Sequence, residues 1–148
     1  MTDPDKIGQR RTRQREAIVR AIRSGDGPLT VPEIHVRARR SKRDLGIATV
    51  YRTVKLLLES GEIHQVVLPD GVSRYESADL DHHHHFRCRV CGTVYDLPGC
   101  MLMLGDRANL PQGFVVEDHE LTLFGRCPDC ANPSAKKNRA NARARKRR

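Results

Sequence analysis

Residues 46–63, GIATVYRTVKLLLESGEI, decide how the first half of the chain is read. Ile47, Val50, Val54, Leu57 and Leu58 recur at the spacing of one helix face, over about Gly46–Glu59, while Ala48, Thr49, Tyr51, Arg52 and Lys55 fall on the others. A face of small, hydroxyl, aromatic and cationic groups suits a DNA major groove, with Arg reaching guanine or phosphate and Thr or Tyr reaching phosphate or a thymine methyl. The same face also suits an ordinary solvated helix, so its neighbours must decide. Gly61 ends the helix, and Ile63–Leu68 and Ser73–Glu76 flank the turn residues Pro69, Asp70 and Gly71 as two short strands. Upstream, Ala17, Ile18, Ala21 and Ile22 predict a first helix from Thr12, preceded by a loose arm over residues 1–11. Ile34 and Ala38 belong to a second helix, which opens on the capping-box sequence Thr30-Val31-Pro32-Glu33. Three helices followed by a hairpin make a winged helix-turn-helix. Arg13, Arg15, Thr49, Tyr51 and Arg52 are its candidate DNA contacts.

The second half turns on Asp81–Gly92, DHHHHFRCRVCG. If the run is a strand, side chains alternate faces, so His83 and His85 point one way and His82 and His84 the other. One strand then serves two sites. Cys88 and Cys91 begin a third, because a second CxxC pair, Cys127 and Cys130, follows. Four thiolates suit tetrahedral Zn(II) with no open position, a structural site whose binding energy supports folding. The alternative is a set of buried thiols without metal.

At 148 residues, with 38% hydrophobic and 4% aromatic residues, the chain suits one domain or two small ones with modest cores. Its net charge of +9 is unevenly placed. Lys and Arg outnumber Asp and Glu by 14 to 8 through residue 62, are outnumbered by 10 to 5 over residues 63–130, and stand at 8 to none from residue 131. A basic first part is fit to meet phosphate and an acidic middle to hold cations. The basic tail, residues 131–148, reads as disordered and as a source of salt-sensitive, non-specific DNA affinity. No apolar run approaches the roughly 20 residues of a membrane span, and MTDPDKIGQRR lacks the apolar segment of a signal peptide. A cytoplasmic protein is expected, and its five cysteines then read as metal ligands before disulfides.

In order and spacing, GIATVYRTVKLLLESGEI, the hairpin end SRYE, HHHHFRCRVCG, GFVVEDHELTLFGRC and the closing CPDC resemble the ferric uptake regulator family of bacterial metalloregulators, over about residues 12–130. The resemblance implies an α+β chain. A winged-helix domain over residues 1–76, a hinge over 77–81, and a small α/β dimerisation and metal-binding domain with a four-cysteine zinc site over 82–130 would precede the tail. It implies a homodimer that binds palindromic double-stranded DNA operators when metal-loaded and represses uptake genes, with no membrane partner and no small-molecule substrate. For the regulatory site it adds Glu76 and Asp96 to His83 and His85. Pro28 and Leu29 stand where many iron and peroxide sensors carry a histidine, whereas His64 stands where zinc sensors commonly carry a ligand, so His64 joins the set. Zn(II) or Fe(II) is the expected regulatory cation, with manganese and peroxide sensing as alternatives inside the family. A third site of His82, His84 and His119 is implied, but Met103 or a neighbour stands where an acidic partner is expected. Cys100 reads as a small core residue ahead of a soft zinc ligand.

Two readings outside the family compete. A zinc-ribbon RNA-binding module would also join CxxC pairs to a basic tail, but it leaves Glu76, His83, His85 and Asp96 unexplained. A zinc hydrolase needs an open metal position beside a general base, and it leaves the winged helix without a role. The sequence therefore points away from an enzyme.

Overall fold

The first helix reaches further upstream than its apolar spacing indicates. The computed structural model describes residues 4–100 and 110–132, and in it α1 spans Pro4–Arg23 rather than starting at Thr12. The expected arm over residues 1–11 is thus helical from Pro4. Proline fits a first helical position, where no amide is missed, and the Lys, Gln and Arg that follow are good helix formers that need no buried face. Met103 and the tail from residue 133 lie outside the described residues.

The chain divides into two compact units, Met1–Asp81 and His82–Arg148. In the first unit α1 precedes α2 (Val31–Ala38) and α3 (Ile47–Glu59), and Ile18, Ile34, Val50 and Leu57 are wholly buried where the helices meet. Thr30 caps α2 as its sequence suggests. Its hydroxyl accepts the Glu33 amide at 3.4 Å, and the Glu33 carboxylate accepts the Thr30 amide at 2.8 Å. Thr30→Ala removes the first bond and weakens the reciprocal pair. A loss of about 1 kcal/mol is expected, read as a lower urea midpoint for the full chain. An unchanged midpoint would mean that packing of Val31 and Ile34 alone holds the helix start.

Helix α3 ends in a Schellman motif. The Glu62 amide donates to Leu57 O at 2.9 Å and the Gly61 amide to Leu58 O at 3.0 Å. That geometry needs φ of +70° at Gly61, which glycine adopts without a Cβ penalty. Ile47, expected in the buried stripe, is 42% exposed. It occupies the first helical position after Gly46, beyond the reach of the core.

The hairpin pairs β1 (Ile63–Val67) with β2 (Ser73–Ser77), setting Ile63 opposite Ser77 and His64 opposite Glu76. Ser77, expected in a linker, therefore belongs to β2. On its other side β2 is tied to the segment before α2, because Leu29 and Tyr75 exchange both backbone hydrogen bonds, at 3.0 and 2.8 Å. Three helices and this hairpin form the winged helix-turn-helix.

The second unit is a three-stranded sheet in the order β4-β3-β5. Here β3 is His83–Cys88, β4 is Val94–Pro98 and β5 is Thr122–Gly125, followed by the short helix α4, Pro128–Ala131. Strand β3 runs antiparallel to β4 and parallel to β5. Phe86 packs over Gly125, where an added Cβ would stand 3.1 Å from the ring, so a larger residue fits there only if the ring gives way by a few tenths of an ångström.

Candidate functional site

Parallel pairing brings the C-terminal ends of β3 and β5 to one edge of the sheet, and all four CxxC sulfurs lie there. Cys88 closes β3, and the turn that carries Cys91 is held by the Gly92 amide donating to Cys88 O at 2.9 Å. Cys127 follows β5 as the N-cap of α4, which contains Cys130. The four sulfurs lie within 4.8 Å of one another, and Cys91 and Cys127 are 3.8 Å apart. Thiolates sharing a tetrahedral zinc with Zn–S near 2.3 Å stand about 3.8 Å apart, so the donor set fits that ion.

The surroundings favour charged sulfur at its buried end. Backbone amides of Cys91 and then Cys127, the latter at 3.4 Å, hold the Cys88 thiol down to about 6. At Cys127 burial pushes the other way, but the Cys130 amide and the Tyr95 hydroxyl outweigh it, and the thiol is lowered. Cys130, sharing a hydrogen bond with Cys127, is pushed up to about 12. Tyr95 escaped the sequence reading. Its place beside Cys127 depends on which β4 residue faces the sulfur edge, and no spacing motif reports that.

The histidines of β3 divide by face. His83 and His85 share one, their rings 4.9 Å apart, with Asp96 of β4 directly opposite His85 in the register. Asp96 Oδ1 is 3.9 Å from His83 Nε2 and 3.6 Å from His85 Nε2. Two imidazoles and a carboxylate in this arrangement suit Zn(II), Fe(II) or Mn(II). Glu76 and His64 belong to the first unit, where Glu76 is buried on β2 and His64, across the ladder, is exposed.

The other face gathers His82, His84 and His119, with ring centroids 4.8 to 5.1 Å apart. Burial first, then the neighbouring imidazoles of His82 and His119, lowers the pKa of His84. Cys100 joins this group and is exposed. The expectation that it fills a core is therefore corrected: β4 ends at Pro98, and the chain carries Cys100 past the sheet edge toward the histidines rather than under the strands.

In the first unit Tyr51 is 56% exposed, Arg52 and Lys55 are also exposed, and Thr49 is half-buried. Arg13 is exposed on α1, while Arg15 bonds to Glu62 and must leave that carboxylate to meet a phosphate. No described helix is long and apolar enough to cross a membrane.

Residues 6–124 match the ferric uptake regulator family. The chain belongs to that family. Ferric uptake regulators are transcription regulators rather than enzymes, which removes the hydrolase alternative. The ferric uptake regulation protein of Campylobacter jejuni is 30% identical over 132 residues, 87% of this chain and 84% of that protein. The zinc uptake regulation protein of Mycobacterium tuberculosis is 32% identical over 124 residues, 83% of this chain and 95% of that protein. A solved structure described as a zinc-bound manganese uptake regulator is 34% identical with a TM-score of 0.68, covering 77% of this chain and 87% of that one. This member of the family thus has relatives named for iron, for zinc and for manganese at similar identity.

Proposed function

We propose that this regulator is a cytoplasmic homodimer that binds palindromic double-stranded operators once its regulatory site holds a divalent cation, and that it then represses metal-uptake genes. The observation that carries the reading is the His83, His85 and Asp96 cluster on one face of β3, in a chain whose other unit presents Tyr51 and Arg52 on an exposed helix. Cys88, Cys91, Cys127 and Cys130 hold a structural Zn(II).

His83, His85 and Asp96 bind from the second unit, and the family resemblance adds Glu76, with His64, from the first. A bound cation supplies the positive charge that lets imidazoles and carboxylates share one position. Ligands drawn from both units fix the angle between them. In the dimer, the two α3 helices then sit about one helical turn apart, roughly 34 Å, to match an inverted repeat. Moving a mostly open population to a mostly closed one takes on the order of 5 kcal/mol of preference for the closed state.

Zn(II) or Fe(II) is the proposed regulatory cation, and the likeness to a manganese uptake regulator keeps Mn(II) as a second reading. Operator shift assays at buffered free Zn(II), Fe(II) and Mn(II) test both, and binding that ignores all three metals would overturn the proposal. Arg52→Ala is expected to weaken operator binding by roughly 1–3 kcal/mol, about five- to 150-fold, while metal uptake and dimerisation stay intact. An unchanged footprint would take α3 out of the groove.

A further inference from the structure

The group on the second face of β3 is more than a set of neighbouring rings. Cys100 Sγ stands 3.5 Å from His84 Nε2 and 3.1 Å from His119 Nε2, and one donor atom from each of His82, His84, Cys100 and His119 lies within 4.8 Å of the others. Three nitrogens and a thiolate on a tetrahedral zinc put sulfur and nitrogen about 3.5 Å apart. His84 is 1% exposed, and its Nδ1 is buried with no hydrogen-bond partner among the described residues. The nitrogen of this buried ring that faces Cys100 is Nε2, so a cation shared with that sulfur would bind there.

We propose that Cys100 is a metal ligand, which with His82, His84 and His119 makes a site of three imidazoles and one thiolate for a single tetrahedral, thiophilic divalent cation of the zinc class. The donors separate this site from its two neighbours in the chain. The Cys88, Cys91, Cys127 and Cys130 cluster is all sulfur, and the His83, His85 and Asp96 cluster offers nitrogen and oxygen only. A thiolate disfavours Mn(II) and Mg(II), which prefer oxygen, and favours Zn(II) or Co(II). Because Cys100 is exposed while His84 is not, the cation enters from the sulfur side and can leave by it. Occupancy here does not depend on which cation fills the regulatory site, nor on operator binding.

The test uses the full-length protein carrying its structural zinc, and reads alkylation of Cys100 by iodoacetamide, resolved by peptide mass. Buffered Zn(II) should slow modification of Cys100 at least tenfold, and His119→Ala should abolish the protection. An unchanged rate, or protection that survives His119→Ala, overturns the proposal. As a second measurement, Co(II) added at constant zinc content should give near-ultraviolet thiolate charge-transfer absorption at one equivalent. Cys100→Ser should remove that absorption without changing the zinc content or the far-ultraviolet circular dichroism. Absorption that persists in Cys100→Ser assigns the band to other sulfurs and overturns the ligand assignment.

Discussion

Cys88→Ser should strip the structural zinc and unfold the sheet unit while leaving the winged helix folded. Cys88 is wholly buried at the end of β3. It accepts the Cys127 amide, and its surroundings favour the thiolate. Serine keeps the shape but presents a neutral hydroxyl in its place. Structural zinc sites contribute apparent binding energies of about 10–16 kcal/mol, as large as the roughly 5–15 kcal/mol that holds a whole domain folded. Among the described residues of the second unit the buried apolar side chains are Val94 and the two cysteines Cys88 and Cys127, whereas the core cluster of the first unit runs from Ala17 to Ile63. Zinc content by mass spectrometry should fall by one per chain. Hydrogen exchange should lose protection across β3, β4 and β5 but keep it in α1, α2 and α3. A chelator acting on the unaltered protein should reproduce that split, and retention of both zinc and β3 protection in Cys88→Ser would end the structural-zinc account.

Glu76→Gln is the second large effect, and it separates binding from response. Glutamine keeps the size of the residue and its place opposite His64 in the β1–β2 ladder, but it takes away the anionic oxygen proposed to meet the cation. His83, His85 and Asp96 remain, so a divalent metal should still bind, more weakly. Its effect on operator affinity should vanish, a loss of about a hundredfold if metal raises the closed population from about 1% to about 99%. Fluorescence anisotropy with and without metal, on an operator duplex, reads this directly. His85→Ala should lose both binding and response. A Glu76→Gln protein whose operator affinity still rises with metal would refute the idea that the cation joins the two units.

Where one local rule governs, the sequence was readable. The apolar period gave Ile18, Ile34, Val50 and Leu57 as core, and all four are buried. Thr30 with Glu33 marked a helix start, and Gly61 a helix end. The split of the histidines between faces follows from strand geometry once they are consecutive. Properties set by distant parts of the chain were not readable. The start of α1 carries no apolar period, and Ile47 has the right spacing but overhangs the core. Cys100 reaches His84 across 16 residues, and Tyr95 reaches Cys127 across a sheet edge. Both contacts are fixed by which β4 residue lies opposite which β3 residue, and a linear pattern does not state that.

All three donor groups hang from a single six-residue strand, β3. Imidazoles at odd and even positions along it belong to different donor groups, so deleting one residue between His85 and Cys88 would turn the imidazoles over relative to the sulfur end and misassemble every group at once. Length changes in descendants of this gene should therefore accumulate in the connection between β4 and β5, leaving the parity of β3 untouched.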